Sequence, residues 1–153
     1  MANDRELELL AKNLFLENRA NPNPDEAAGI VRSIYERQQL QGYPDTVEGV
    51  LTQPGQYHGF SPPEGNAAAA ANALEGEAFG PNHPDYVKFM TLAQHGYQQR
   101  NEPHPNPPTH YFTGRTPGWA QGMELTRLGE HSFGRETGRR RKAVGSKKPA
   151  RKK

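Results

Sequence analysis

The residue of this chain best placed to do chemistry is Glu17. It continues an apolar stripe that runs Leu7, Leu10 and Leu14, the i, i+3, i+7 spacing of one helix face. At about 100° per residue its side chain projects roughly 20° from that of Leu10. A carboxyl group at the tail of a buried stripe loses water. Lost water raises its pKa, which can leave it a proton to donate near neutral pH. The competing reading is structural, with Glu17 marking the point where the helix leaves the core. Other reactive groups are sparse. Cysteine is absent, which excludes disulfides, a thiolate nucleophile and thiolate metal ligands. The six histidines include no His-Glu-x-x-His pair, and His104 and His110 stand in a proline-rich stretch with poor ligand spacing, so neither metal nor cofactor is expected.

The elements that would position Glu17 follow from punctuation and periodicity. A first helix should start at Asn3 or Asp4, either a fitting N-cap, and run to about residues 18–20, where Asn21-Pro22-Asn23-Pro24 breaks it. A second helix opens on Asp25-Glu26, acids favoured by the helix dipole, and carries Ala27, Ile30, Val31 and Ile34 on one face as far as Gln41-Gly42. Tyr43-Pro44-Asp45-Thr46 is a turn, with Asp45 or Thr46 capping a short helix that bears Val47, Val50 and Leu51. Residues 57–65 read as loop, and Asn66 as the cap of a helix through the alanine run to Leu74. A further long helix covers 85–99. Thr109–Thr113 is a short strand, and 125–133 a weak strand or loop.

Composition sets the frame. The chain has 153 residues, one ordinary domain, with 33% hydrophobic residues and 16 Gly plus 14 Pro, which favours irregular connections. No apolar run is long enough to cross a membrane as a helix. The first residues show neither a basic n-region nor an apolar h-region, so no secretory signal is expected there. The net charge of +2 hides an asymmetry: residues 135–153 hold ten Lys/Arg and one acid, leaving residues 1–134 at −7. The expected division is an acidic folded domain over 1–134 and a disordered cationic tail over 135–153.

Several segments in order then resemble one family. Leu14-Phe15-Leu16-Glu17-Asn18-Arg19-Ala20 is followed by Glu26-Ala27-Ala28-Gly29-Ile30-Val31 and Tyr35-Glu36-Arg37. Tyr43-Pro44-Asp45-Thr46-Val47-Glu48-Gly49-Val50-Leu51 and Gln53-Pro54-Gly55-Gln56-Tyr57 come next. His110-Tyr111-Phe112, Trp119 and Leu128-Gly129-Glu130-His131-Ser132-Phe133 close the series. Over about residues 5–134 this resembles the SleB-type cell wall hydrolases, and the block from Tyr43 to Tyr57 is its most specific part. The departures are Ala20 for the family's Gly, Asn21 for its second motif Glu, and Glu36 for the Asn of its Asn-Arg-Val.

The resemblance implies a mainly α (α+β), lysozyme-like fold that cleaves the glycan strands of peptidoglycan, chiefly as a lytic transglycosylase, with the catalytic glutamate at Glu17. Hydrolysis by a muramidase would need a second carboxylate. Glu36, Asp45 and Glu48 are the nearest candidates, each with a simpler role: Asp45 as a helix cap, Glu36 and Glu48 on solvated faces. A glycan groove calls for aromatic platforms with amide and hydroxyl partners. Gln56, Tyr57, Tyr111 and Trp119 are the right types in matching segments, while Trp119 and Phe112 also suit a core. His131 falls in the closing motif and reads as a structural hydrogen-bonding residue.

In the tail, Arg139, Arg140, Arg141, Lys142, Lys147, Lys148, Arg151, Lys152 and Lys153 form either a solvated tail or an arm for polyanions such as DNA, teichoic acid, lipopolysaccharide or anionic lipid headgroups. The lack of a visible signal suggests a bacteriophage enzyme, held in the virion or in the host cytoplasm before release and acting on the bacterial wall, with other virion proteins as further partners. The alternative is a non-catalytic virion or nucleic-acid-binding protein that reuses the fold and binds through its basic tail.

Overall fold

A computed structural model of the chain describes residues 3–18, 23–53 and 79–143. Its helices are α1 (Asp4–Asn18), α2 (Pro24–Gln38), α3 (Val47–Leu51) and α4 (Tyr86–Gln99), followed by strand β1 (His110–Thr113), a 3-10 turn at Gly118–Ala120, and strands β2 (Thr126–Leu128) and β3 (His131–Gly134). The helix expected through the alanine run lies outside the described residues.

Each start has a local cause. Asn3 caps α1, its Oδ1 accepting from the Glu6 amide at 2.7 Å, and acids fill the first turn. Asn23 caps α2, accepting from the amides of Asp25 and Glu26, with Pro24 at the first helical position. Thr46, not Asp45, caps α3, accepting from the Gly49 amide at 3.0 Å; Asp45 pairs instead with Lys142. The weak strand of 125–133 is a hairpin. Leu128 and His131 face each other across a two-residue turn whose Gly129 has φ +61°, a conformation that favours glycine. β3 is central, antiparallel to both neighbours, with Tyr111 opposite Phe133 on one side and Thr126 opposite Phe133 on the other.

The core is the space between α1, α2 and α4, closed by α3 and by one face of the sheet. Leu10, Leu14, Ile30, Ile34, Val50, Leu51 and Phe89 are fully enclosed there, and Phe133 joins them from β3. Phe15 packs edge-on against Phe89, ring centroids 5.7 Å apart. α2 and α4 approach closely at Gly96, where an added Cβ would stand 2.8 Å from Val31.

The expected disorder from residue 135 does not hold as far as residue 143. This segment runs back along the end of α2 as a clasp. The Gln41 amide donates to the Arg140 carbonyl at 2.8 Å, and Leu40 and Arg141 form an antiparallel bridge. Arg135 and Arg141 converge on Glu36 at 2.9 and 3.3 Å, and Arg139 pairs with Glu136 and lies over the Tyr43 ring. Glu36, expected on a solvated face, is 8% exposed. Composition marks the segment as basic, but Glu36 and Asp45, which meet Arg135, Arg141 and Lys142, are distant in sequence and come near only in the fold. We expect truncation after Gly134 to lower the melting temperature by about 4–10 °C, at roughly 2–4 °C per kcal/mol for a chain of this size. Thermal unfolding of the truncated and full chains by circular dichroism reads this directly; equal midpoints would show that the clasp adds no stability.

Candidate active site

Glu17 lies in the last turn of α1, and its carboxylate is held from two sides by the sheet. On β1, the Tyr111 hydroxyl donates to Glu17 Oε2 at 3.1 Å. The same hydroxyl accepts from Asn13 Nδ2 at 3.2 Å, and Asn13, one turn before Glu17, is on the same helix face. On β3, His131 Nε2 stands 3.9 Å from Glu17 Oε1, an ion-pair distance rather than a hydrogen bond. Tyr111 and His131 meet edge to face at 5.4 Å. The Glu17 side chain is 31% exposed, so the stripe places it at the margin of the core, open to a ligand.

Behind His131 stands a residue that the sequence reading assigned only to the helix dipole. Glu26, in the first turn of α2, is 1% exposed, and its Oε2 accepts from His131 Nδ1 and, at 3.0 Å, from the Glu130 amide. The three groups form a line, Glu17–His131–Glu26, that enters at the surface and ends in the core. Gly129 permits it: besides its positive φ, a Cβ there would stand 2.3 Å from Glu26 Oε1. The closing motif thus has a physical basis. Gly129 turns the hairpin past a carboxylate, and His131 and Phe133, two apart on β3, share the face that meets the helices.

The sequence carries only a partial signal for Glu26. It stands four residues before Ile30, but Ser33 and Arg37, which share its buried face on α2, are polar and form no apolar stripe.

Two histidines of the sheet respond oppositely to their surroundings. Burial would hold His131 below the usual imidazole range, but the facing carboxylates of Glu17 and Glu26 outweigh it and raise its pKa. His110 is pushed down to about 4, first by burial and then by the nearby Arg37 cation.

Of the candidate sugar platforms, Tyr111 joins Glu17. Trp119 does not. It is 52% exposed and packs on His110 and Phe112, at 5.2 and 5.6 Å, on the sheet face opposite to Tyr111. Gln56 and Tyr57 lie outside the described residues. The three alternative carboxylates are occupied: Glu36 by Arg135 and Arg141, Asp45 by Lys142, and Glu48 by Arg5 at 3.3 Å. Of the basic candidates, Arg141 and Lys142 are engaged by carboxylates of the body, Arg139 by Glu136 within the same segment, Arg140 has an exposed side chain, and Lys147, Lys148, Arg151, Lys152 and Lys153 lie outside the described residues. Among the described residues, no cluster of His, Asp or Glu has the arrangement of a metal centre, and no helix is long and apolar enough to cross a membrane.

Three helices around a core, a short fourth, and a small antiparallel sheet whose strands carry the partners of a helix-end glutamate define an α+β, lysozyme-like fold. Two solved structures share it. The catalytic domain of the germination-specific lytic transglycosylase SleB from Bacillus anthracis superposes with a TM-score of 0.59 at 17% identity, over 88% of this chain and 97% of that one. The catalytic domain of the Bacillus cereus SleB protein gives 0.59 at 19% identity, over 88% and 93%. At such identities the likeness is one of fold. No protein-family model and no curated protein sequence matches the chain.

The buried pair makes a pH prediction. A histidine with a raised folded pKa adds stability that is complete below its unfolded value, about 6.5, and is lost as pH rises through the folded value. Urea unfolding should therefore show the margin of wild type over His131→Gln shrinking from pH 6 to pH 9. Glu26→Gln should cost about 3–5 kcal/mol at pH 6, since it removes one partner of a buried pair. A margin that is flat with pH would mean that His131 is not protonated in the folded state.

Proposed function

We propose that this protein cleaves the glycan strands of peptidoglycan as a lytic transglycosylase, with Glu17 as its single acid and base. The observation that carries this reading is the setting of Glu17. It is a helix-end carboxylate, open to ligand, fixed by Tyr111 and faced by the His131–Glu26 pair, in a fold that two SleB catalytic domains share.

The chemistry needs one proton carried in two directions. Glu17 gives its proton to the oxygen of the bond between N-acetylmuramic acid and N-acetylglucosamine, and the bond from that oxygen to the muramic C1 breaks. The substrate's own N-acetyl carbonyl stabilises C1. The muramic 6-hydroxyl then attacks C1, its proton passes to Glu17, and a 1,6-anhydro ring closes. Water is not consumed and Glu17 is regenerated. Tyr111 fixes the carboxylate, and the His131 imidazole faces the negative charge that Glu17 acquires midway.

The placement of Glu26, Glu36, Asp45 and Glu48 supports this route over hydrolysis. A water-activating base must reach solvent near the bond. Among the described residues the carboxylate aligned with Glu17 is Glu26, which is buried and bound to His131, and Glu36, Asp45 and Glu48 are held in ion pairs elsewhere.

Digestion of purified peptidoglycan followed by mass spectrometry tests the proposal. Wild type should release anhydro-muramyl fragments, and Glu17→Gln should release at least about 100-fold less, the scale of a lost general acid. Reducing-end muramic products would make the enzyme a muramidase. An active Glu17→Gln would remove Glu17 from the mechanism.

A further inference from the structure

Glu26 Oε2 takes two donors at once, the Glu130 amide at 3.0 Å and His131 Nδ1. An ionised carboxylate only accepts, so the proton of the second contact lies on Nδ1. Imidazole also holds a proton about 100-fold more tightly than a carboxylate does, which favours the same placement. Glu26 and His131 are 1% and 2% exposed, so solvent does not take the place of either partner. The Nδ1 proton is thereby a fixed part of the fold, and gain or loss of a proton by this ring falls to Nε2.

Nε2 faces Glu17 Oε1 at 3.9 Å, and the Tyr111 hydroxyl is on the other oxygen, Oε2. Among the described residues, the charges that act on His131 are those of Glu17 on α1 and Glu26 on α2. β1 and β2 meet it with Tyr111, Thr113 and Leu128. One proton then has two arrangements in the pair of Glu17 and His131. In the first, Glu17 is a neutral acid and Nε2 a lone pair. In the second, Glu17 is a carboxylate and Nε2 an N–H. The first form can protonate a glycosidic oxygen; the second keeps the same proton beside it.

We propose that Glu26 is a positioning residue for Glu17: by fixing the Nδ1 proton it makes His131 Nε2 the second holder of the Glu17 proton. The consequence for cleavage rests on the function proposed above; the proton arrangement does not. A proton with two sites to occupy is lost at a higher pH than it would be from either site alone. The negative charge of Glu26 strengthens that hold through His131, without contact with the substrate. Removing the charge therefore moves the loss of the last proton to lower pH.

The test follows the ring nitrogens of His131 by NMR in the full chain from about pH 5 to 9. Nδ1 should keep the shift of a protonated nitrogen throughout, while Nε2 passes from protonated to unprotonated. In Glu17→Gln, a change at the margin of the core, the midpoint should fall by about half a pH unit or more. A neutral ring with its proton on Nε2, an Nε2 that never titrates, or a midpoint unmoved by Glu17→Gln would each overturn the proposal. This arm needs neither wall cleavage nor a core substitution, so it decides the proton arrangement by itself. Where Glu17-dependent cleavage is present, the initial rate of anhydro-muramyl release from dilute wall material is measured against pH. Glu26→Gln, checked for folding by circular dichroism, should bring the alkaline limb down by about one pH unit. Glu26→Asp, which keeps the charge, should return the limb toward its wild-type position. A merely structural role lowers the rate by one factor at every pH and leaves the limb in place, and that result also overturns the proposal. If wild type releases nothing while the nitrogen shifts are as expected, the proton arrangement stands and the transglycosylase reading falls.

Discussion

A carboxylate and an imidazole shut away from water must satisfy each other, and the buried contact between Glu26 and His131 is the constraint on which the rest depends. Glu26 comes from the first turn of α2 and His131 from the middle strand of the sheet, so their contact fixes the sheet on the helices. It also decides where the second ring nitrogen points, and that nitrogen faces Glu17. Packing alone could hold the sheet at many angles. A buried charge pair tolerates few, because misalignment leaves an unpaired charge in the core. The hairpin obeys the same requirement: only a residue without a side chain can pass over Glu26 at position 129.

Three helix ends meet different needs. The start of α1 is capped and acidic, an ordinary solvated terminus. The start of α2 is capped by Asn23 and also delivers Glu26 to the interior, so its acids are not equivalent: Asp25 is exposed and Glu26 is enclosed. The end of α1 delivers Glu17 to the margin. A rigid helix end, braced at Asn13 and Tyr111, holds a reactive carboxylate more firmly than a loop could.

The charge asymmetry of the chain has a structural use. Arg135, Arg141 and Lys142 return to Glu36 and Asp45, Arg139 meets Glu136 within the same segment, and two backbone bonds to the loop after α2 align them. Glu36 occupies a buried position facing two guanidinium groups, so a carboxylate there is a requirement of this clasp.

By itself the sequence determined the four described helices, the stripes on them, the short strand at Thr109–Thr113, and Glu17 as a carboxylate in an unusual place. These are local properties, set by caps, breakers and a period of 3.6 residues, and they survive without knowledge of what packs where. Glu26 was less legible, since of the residues that share its buried face Ile30 is apolar but Ser33 and Arg37 are polar, and their burial is a property of the fold. Only the tertiary structure decided that His131 lies between Glu17 and Glu26, that Trp119 occupies the sheet face opposite to Tyr111, and that the basic segment through Lys142 is a clasp rather than a tail. Each of these depends on groups about 95–115 residues apart, or on which side of a three-stranded sheet a residue falls. Periodicity along one chain says which residues share a face, and the meeting of two faces is settled by the energy of burying them together.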